Sequence, residues 1–265
     1  MFFKSGTVFS LVTCLAGVKI AIATPVDGSI MSRIEARAGP RQLWEANEGP
    51  SPKDVKSKSA KNGWLATPLK RLAEINKQAI EDLFIDKEED PAEGITQVTL
   101  KLFQPDGEES TLKFNMTQPG DIVDEFDRAN DYWWVPSIEY AGLLQGEYDG
   151  LKESNKITEG TPAATMKMLT GKNQKTSTVQ DNKDKAKQSI QKSKEVPLFF
   201  HTFDKYLASN DLEKRTWYSV VDFEEKNGKI VDDSKIQLIH AGLDAPVKIS
   251  AGDAWKDLET FVRQE

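Results

Sequence analysis

At 265 residues, with 42 acidic against 35 basic side chains and a formal net charge of −7, the chain has material for one large domain or two packed lobes. The acidic balance excludes a general affinity for nucleic acid or anionic lipid. A lone cysteine, Cys14, excludes an intrachain disulfide.

Residues 1–23 read as a secretory signal peptide. Lys4 supplies the positive start, an apolar run covers residues 8–23, and Ala21-Ile22-Ala23 offers small residues for cleavage ahead of Thr24-Pro25. Lys19 interrupts the run, so a membrane anchor is disfavoured. Export would give a secreted, extracellular protein with no membrane association after cleavage. Loss of Lys4 and Lys19 lowers the 35 basic residues to 33 against 42 acidic, a net charge near −9. Cys14 would leave with the same segment, so the mature chain is expected to carry no thiol. Residues 24–43 read as a flexible leader or pro-segment, with trimming expected near Ile34-Glu35-Ala36-Arg37.

From residue 44 the pattern becomes that of a folded protein. Leu65, Leu69, Leu72, Ile75, Ala79, Ile80 and Leu83 recur at helical spacing, with Lys70, Arg71, Glu74, Lys77 and Glu81 between them; this predicts one amphipathic helix of about five turns. Thr67-Pro68 looks like an N-cap and first helical residue, which would start that helix a turn after Gly63. Val98, Leu100 and Leu102 alternate with polar positions, Pro105-Asp106-Gly107 has turn chemistry, and residues 111–116 return as a partner strand. Asn115-Met116-Thr117 is a glycosylation sequon at Asn115.

Tyr132, Trp133, Trp134, Tyr140 and Tyr148 form the densest aromatic cluster. Pro136 fits an early helical position, and Ile138, Ala141 and Leu144 follow on one face, so the cluster reads as core packing. Residues 172–195 hold seven lysines and almost nothing apolar, and read as an exposed connection, with a basic patch for acidic partners as the alternative. Short strands are expected over residues 217–223, at Ile230 and over residues 236–239, with an Asn227-Gly228 turn. Trp255, Leu258, Phe261 and Val262 predict a last helical or looped element.

No cofactor or metal is expected. His201 and His240 lie in apolar settings with no His-Glu-x-x-His spacing, and Gly-x-Ser-x-Gly is absent. Glu88-Glu89-Asp90 and Asp232-Asp233 read as solvated turns rather than calcium ligands.

One run carries a family resemblance: Trp134-Val135-Pro136-Ser137-Ile138-Glu139-Tyr140-Ala141, then Gly146-Glu147-Tyr148, Gly160 and Leu169-Thr170-Gly171. It resembles the calpain catalytic domain, with its Trp-x-x-Leu-Leu-Glu-Lys-Ala-Tyr helix, Gly-x-Tyr and Leu-Thr-Gly. In that register residues 54–69 are similar to the segment around the family's nucleophile. Tyr218-Ser219-Val220 is similar to its His-Ala-Tyr-Ser-Val strand, and residues 238–244 to its Arg-Asn-Pro-Trp-Gly motif. The resemblance implies an α+β, papain-like two-lobe fold, with a helix-rich lobe over 44–171, a linker over 172–195 and an antiparallel β-rich lobe over 196–265.

It also implies that the chemistry is gone. Gly63 stands at the nucleophilic cysteine, Thr216 at the histidine and Ala241 at the asparagine that orients it. Ser57 stands at the oxyanion-hole glutamine and Lys58 at the glycine after it. A thiolate, an imidazole and a ring-orienting group are each required, and none is present. The implied role is capture of a peptide or protein in the interlobe cleft without cleavage. The alternatives are a hydrolase with relocated groups, such as Thr216 with Asp222 or Glu224, and a structural or surface secreted protein.

Overall fold

The computed structural model describes residues 40–57, 62–121, 132–153, 156–205 and 207–265, which form an α+β protein with two antiparallel sheets. The expected signal peptide, Cys14, the expected trimming point near residue 37 and Lys58 lie outside the described residues.

The folded part begins before residue 44. Arg41 exchanges backbone hydrogen bonds with the 93–95 segment (Arg41 N–H to Glu93 O, 2.8 Å; Ile95 N–H to Arg41 O, 2.9 Å), and Trp133 N–H reaches Gln42 O at 2.9 Å. Leu43 is buried. The expected leader therefore ends in ordered backbone at residues 41–43.

Gly63–Ile75 (α1) and Lys77–Glu81 (α2) replace the single long helix expected. Asn76 breaks it, with φ −156° and ψ 68°, and its side chain accepts from Ala79 N–H to start the second piece. α1 begins at Gly63, not a turn later, so Pro68 sits inside it. A proline cannot donate to the carbonyl four residues back. Trp64 O instead accepts from the Thr165 hydroxyl at 2.9 Å, so the orphaned acceptor is satisfied from another helix.

The first sheet holds Phe84–Asp90 (β1), Gly94–Phe103 (β2) and Glu109–Asn115 (β3) in that spatial order. Val98, Leu100 and Leu102 all point to the core, as the alternation predicts, and β2 pairs with β3 from Gln97–Asn115 to Phe103–Glu109. Glu88-Glu89-Asp90 are not in a turn. They end the edge strand β1, where Glu88 meets Lys113 at 3.0 Å and Glu89 meets Lys87 at 2.6 Å. Charge on an edge strand discourages pairing with another chain.

Thr117–Asp121 (α3) follows, then Trp134–Gln145 (α4), which is apolar nearly all round and correspondingly buried. Its Trp134 indole donates to Asp54 Oδ2 at 2.8 Å. Pro162–Thr170 (α5) carries the signals of a bounded helix: Thr161 caps Ala164 N–H, Pro162 opens the first turn, and Gly171 closes it at φ 69°.

The second sheet has six strands in the order β4-β9-β5-β6-β7-β8. They are Gln174–Thr178 (β4), Leu198–Thr202 (β5), Trp217–Phe223 (β6), Lys235–Ile239 (β7), Val247–Ser250 (β8) and Leu258–Gln264 (β9). Two expectations are overturned here. Residues 172–195 are not a bare connection: they supply β4 and Lys183–Gln191 (α6), with Val179, Ala186 and Ile190 buried. The last segment is not helical past Asp257. After Ala251–Asp257 (α7), β9 runs between β4 and β5. Asp257 accepts from Ala208 N–H at 2.6 Å and Ser209 N–H at 2.8 Å, which fixes the switch point. The Asn227-Gly228 turn forms as expected, both residues at positive φ, between paired Lys226 and Lys229.

Two hydrophobic cores result. One gathers α1, α4, α5 and the inner face of the first sheet; the other lies between the second sheet and α6 and α7. β5 shows how they meet: Leu198 and Phe200 face the second core, while Phe199 joins the first. A strand buried on both faces has no reason to alternate in polarity.

Candidate functional site

α1 meets the second sheet through polar side chains spaced three and four apart. Thr67 donates to Trp217 O (3.3 Å), Lys70 to Leu243 O (2.7 Å) and Arg71 to Ser193 O (2.6 Å). One face of a helix presents such a set together. Each of the three carbonyls belongs to a segment beside the second core. Arg71, expected on the exposed face, is only 3 % accessible. Burial lowers the pKa of Lys70, which Asp244 partly opposes.

Thr67 joins the sequence-predicted positions. Its oxygen also accepts from Ala241 N–H at 3.2 Å, and Ala241 O accepts from Ser57 N–H at 3.2 Å. Thr216 immediately precedes Trp217, whose carbonyl Thr67 holds. The start of α1, the start of β6 and the turn after β7 are thus tied at one junction, with Ser57 on its edge. Gly63 lies one helical turn before Thr67. It is buried, yet among the described residues a Cβ built on it would meet nothing within 4 Å. Among the described residues nothing occupies the place of a first side-chain atom there.

The next residue, Trp64, is tightly packed. Trp64 donates from its indole to Thr158 O at 2.8 Å, and Gly150 and Gly160 press so closely on its ring that a Cβ on either would clash. Beyond them Arg215 reaches Glu159 at 3.7 Å and Asp204 at 3.8 Å, both pairs exposed.

The hydroxyl groups at the junction are committed. Thr67 donates to Trp217 O, and Thr216 donates from its buried side chain to Lys214 O at 2.9 Å. Thr216 N–H donates to Thr202 Oγ1 at 2.9 Å. The relocated pair is not assembled: at about 3.3 Å per residue, Asp222 lies on the order of 20 Å along the strand from Thr216. Asp222 faces Lys194 at 3.0 Å, which lowers its pKa through a hydrogen bond, and Glu224 is held likewise by Lys248 at 2.7 Å.

His240 adjoins Ala241. Its ring stands edge-on to Tyr218 at 5.0 Å, Nδ1 accepts from Gly242 N–H at 3.0 Å, and Nε2 lies 3.6 Å from Glu213. An accepting Nδ1 places the proton on Nε2. Burial lowers the His240 pKa, with Lys70 adding to the effect and Glu213 opposing it. Burial also pushes Tyr218 up to about 12. His201 packs on Trp217 at 4.6 Å, its partner across β5 and β6, with Glu259 3.5 Å from Nδ1. Asn115 is exposed at the end of β3, its amide oxygen accepting from Gln97 at 2.9 Å.

Among the described residues no group of three or more His, Cys, Asp or Glu is placed to hold a metal, and no helix is long and apolar enough to cross a membrane. The Asp232-Asp233 pair stays in a turn, Asp233 against Lys226. The roles of Lys70, Arg71 and His240 escape the sequence reading. Their one visible trace is cationic side chains following Thr67 at helical spacing, which periodicity alone assigns to solvent.

Protein-family models give no match to this chain, and curated proteins give none either.

Proposed function

We propose that this chain is a secreted, calpain-like pseudoprotease of papain-like two-lobe fold, which holds an extended peptide in the cleft between its lobes and does not cut it. The observation that carries this reading is the Thr67 bridge, which ties the start of α1 to the residues beside Thr216 and to Ala241. In the calpain-like register these are the elements that would present a nucleophile, a histidine and its orienting group. The two cores and the antiparallel second sheet agree with that arrangement.

The proposed loss of cysteine-protease activity rests on composition. Residues 15–265 contain no cysteine, Gly63 has no side chain, and Thr216 and Ala241 can neither move a proton nor orient a ring. The open position of a Cβ at Gly63, among the described residues, supports this reading, since a groove can bind peptide by backbone hydrogen bonds and side-chain pockets whether or not it cleaves.

The test is a peptide-library pull-down on the purified chain and on Gly63→Trp, which places a large side chain at the start of α1. Captured peptides should be recovered intact by mass spectrometry, and Gly63→Trp should weaken their binding at least about tenfold with an unchanged melting temperature. Time-dependent cleavage would return the chain to the enzymes. Binding indifferent to Gly63→Trp would remove the cleft as the site.

A further inference from the structure

A second concave site lies away from the junction, where α6 crosses the ends of β5 and β9. It is a cleft of about 380 Å³, within the range of small-molecule sites. Lys185 and Lys192, seven apart on α6 and its C-terminal turn, share one helix face on its rim; Arg263 of β9 lines it from below. Val196, Pro197 and Leu198 give it an apolar wall.

Cations gather around this cleft without carboxylate partners. Several other lysines of this acid-rich chain do find carboxylates: Lys101 meets Glu109, Lys113 meets Glu88, and Lys248 meets Glu224. Among the described residues no carboxylate comes within ion-pair distance of Lys185, Lys192 or Arg263. Arg263 Nε is buried without a hydrogen-bond partner, and its Nη1 makes only a long contact to Gln264 O at 3.4 Å. Register adds a fourth cation, since Lys175 of β4 lies directly across from Arg263. Like charges facing each other across strands are destabilising. With 42 acidic residues against 35 basic in the chain, an unneutralised group of four cations needs a reason.

We propose that this cleft binds a small organic phosphate: a phosphomonoester group held by Arg263, Lys185 and Lys192, with an apolar stem against Val196 and Pro197. The phosphate carries about −1.5 to −2 charges near neutral pH, which matches several cations better than a single carboxylate would. A guanidinium supplies a planar fork for two oxygens, and the ammonium groups act as mobile point charges. Glu265 is the one carboxylate in the lining, and it opposes the ligand's charge.

Titration calorimetry of the full chain with phenyl phosphate at low salt tests this. Saturable binding at one site is expected, weakened at least about tenfold by Lys185→Gln/Lys192→Gln, whose exposed positions leave folding intact. Arg263→Gln should weaken it further, and Glu265→Gln should tighten it. Inorganic phosphate and phenylacetate should each bind more weakly than phenyl phosphate, one lacking the stem and the other the second charge. The proposal is overturned by no saturable heat at millimolar phenyl phosphate, by affinity unchanged in the lysine double variant, or by an acidic peptide binding this site more tightly than phenyl phosphate.

Discussion

His240 concentrates the most consequence in one side chain. Its ring can accept from Gly242 N–H only while Nδ1 is bare. A second proton would break that bond in the turn where Ala241 N–H donates to Thr67, Ala241 O accepts from Ser57 N–H, and Leu243 O accepts from Lys70. Its folded pKa lies below the ordinary 6.5, so below that pH the unfolded chain takes up the proton more readily than the folded one. Stability from this group is therefore present above pH 6.5 and lost as pH falls through 6.5 toward the folded value. Thermal melts from pH 8 to pH 5 should show a falling midpoint below about 6.5 that His240→Gln flattens; an unchanged slope in the variant would exclude His240 as the source. Glu213, Lys70 and Tyr218 face the ring and set the depth of the effect. The lowered carboxylates Asp222, Glu224, Asp233 and Asp253 act in a separate window, their contributions present above their ordinary values of 3.8 to 4.5 and lost at more acid pH.

α1 shows what a helix can carry beyond an apolar stripe. Pro68 removes one internal hydrogen bond, and Thr165 supplies the replacement from α5. Thr165→Val should cost about 1–3 kcal/mol in denaturant unfolding, because it leaves a buried carbonyl unpaired. Adding Pro68→Ala should recover part of that loss by restoring an N–H; strict additivity of the two would mean that they do not share Trp64 O. Arg71→Ala should cost about 1–3 kcal/mol, since it leaves Ser193 O without its buried guanidinium donor, while the exposed Glu74 regains water. A change under about 0.5 kcal/mol would mean that Arg71 does not join α1 to the second core. The apolar half of α1 was legible in the sequence because Leu65, Leu69 and Leu72 repeat at its period. The polar half was not, because the partners of Thr67, Lys70 and Arg71 lie 120 to 175 residues away and are backbone atoms, which have no sequence signature. Thr67-Pro68 misled for a related reason: the pair has N-cap chemistry, and only Thr165 makes an interior proline tolerable.

At the scale of the molecule, the hairpin β2–β3, the helix α4 and the strand β6 follow from local pattern, whereas the outer parts of the second sheet do not. In residues 172–195 the lysines hide Val179, Ala186 and Ile190, three apolar residues that suffice because they join the second core. Trp255, Leu258 and Phe261 have helical spacing, but Asp257 ends the helix by capturing two amides, and β9 then finds open edges on β4 and β5. Such pairing is set by what the remaining chain leaves vacant. Hydrogen exchange should accordingly protect the backbone amides of α6 from residue 187 to 190 as well as those of β9; exchange there at the rate of an open chain would contradict an ordered 172–195 segment.

The junction itself was legible only as four unusual residues, Ser57, Gly63, Thr216 and Ala241, and the Thr67 bridge that relates them has no trace in the pattern. The most direct test of that junction is the alkylation rate, against pH, of Gly63→Cys in a Cys14→Ser background. A thiol at the first turn of α1, in the space that Gly63 leaves, should react with iodoacetamide under native conditions, with an apparent pKa below about 8.5. Bound peptide should slow the reaction. A thiol that stays unmodified until the protein unfolds, or one that titrates at or above 8.5, would contradict a cleft opening at the start of this helix.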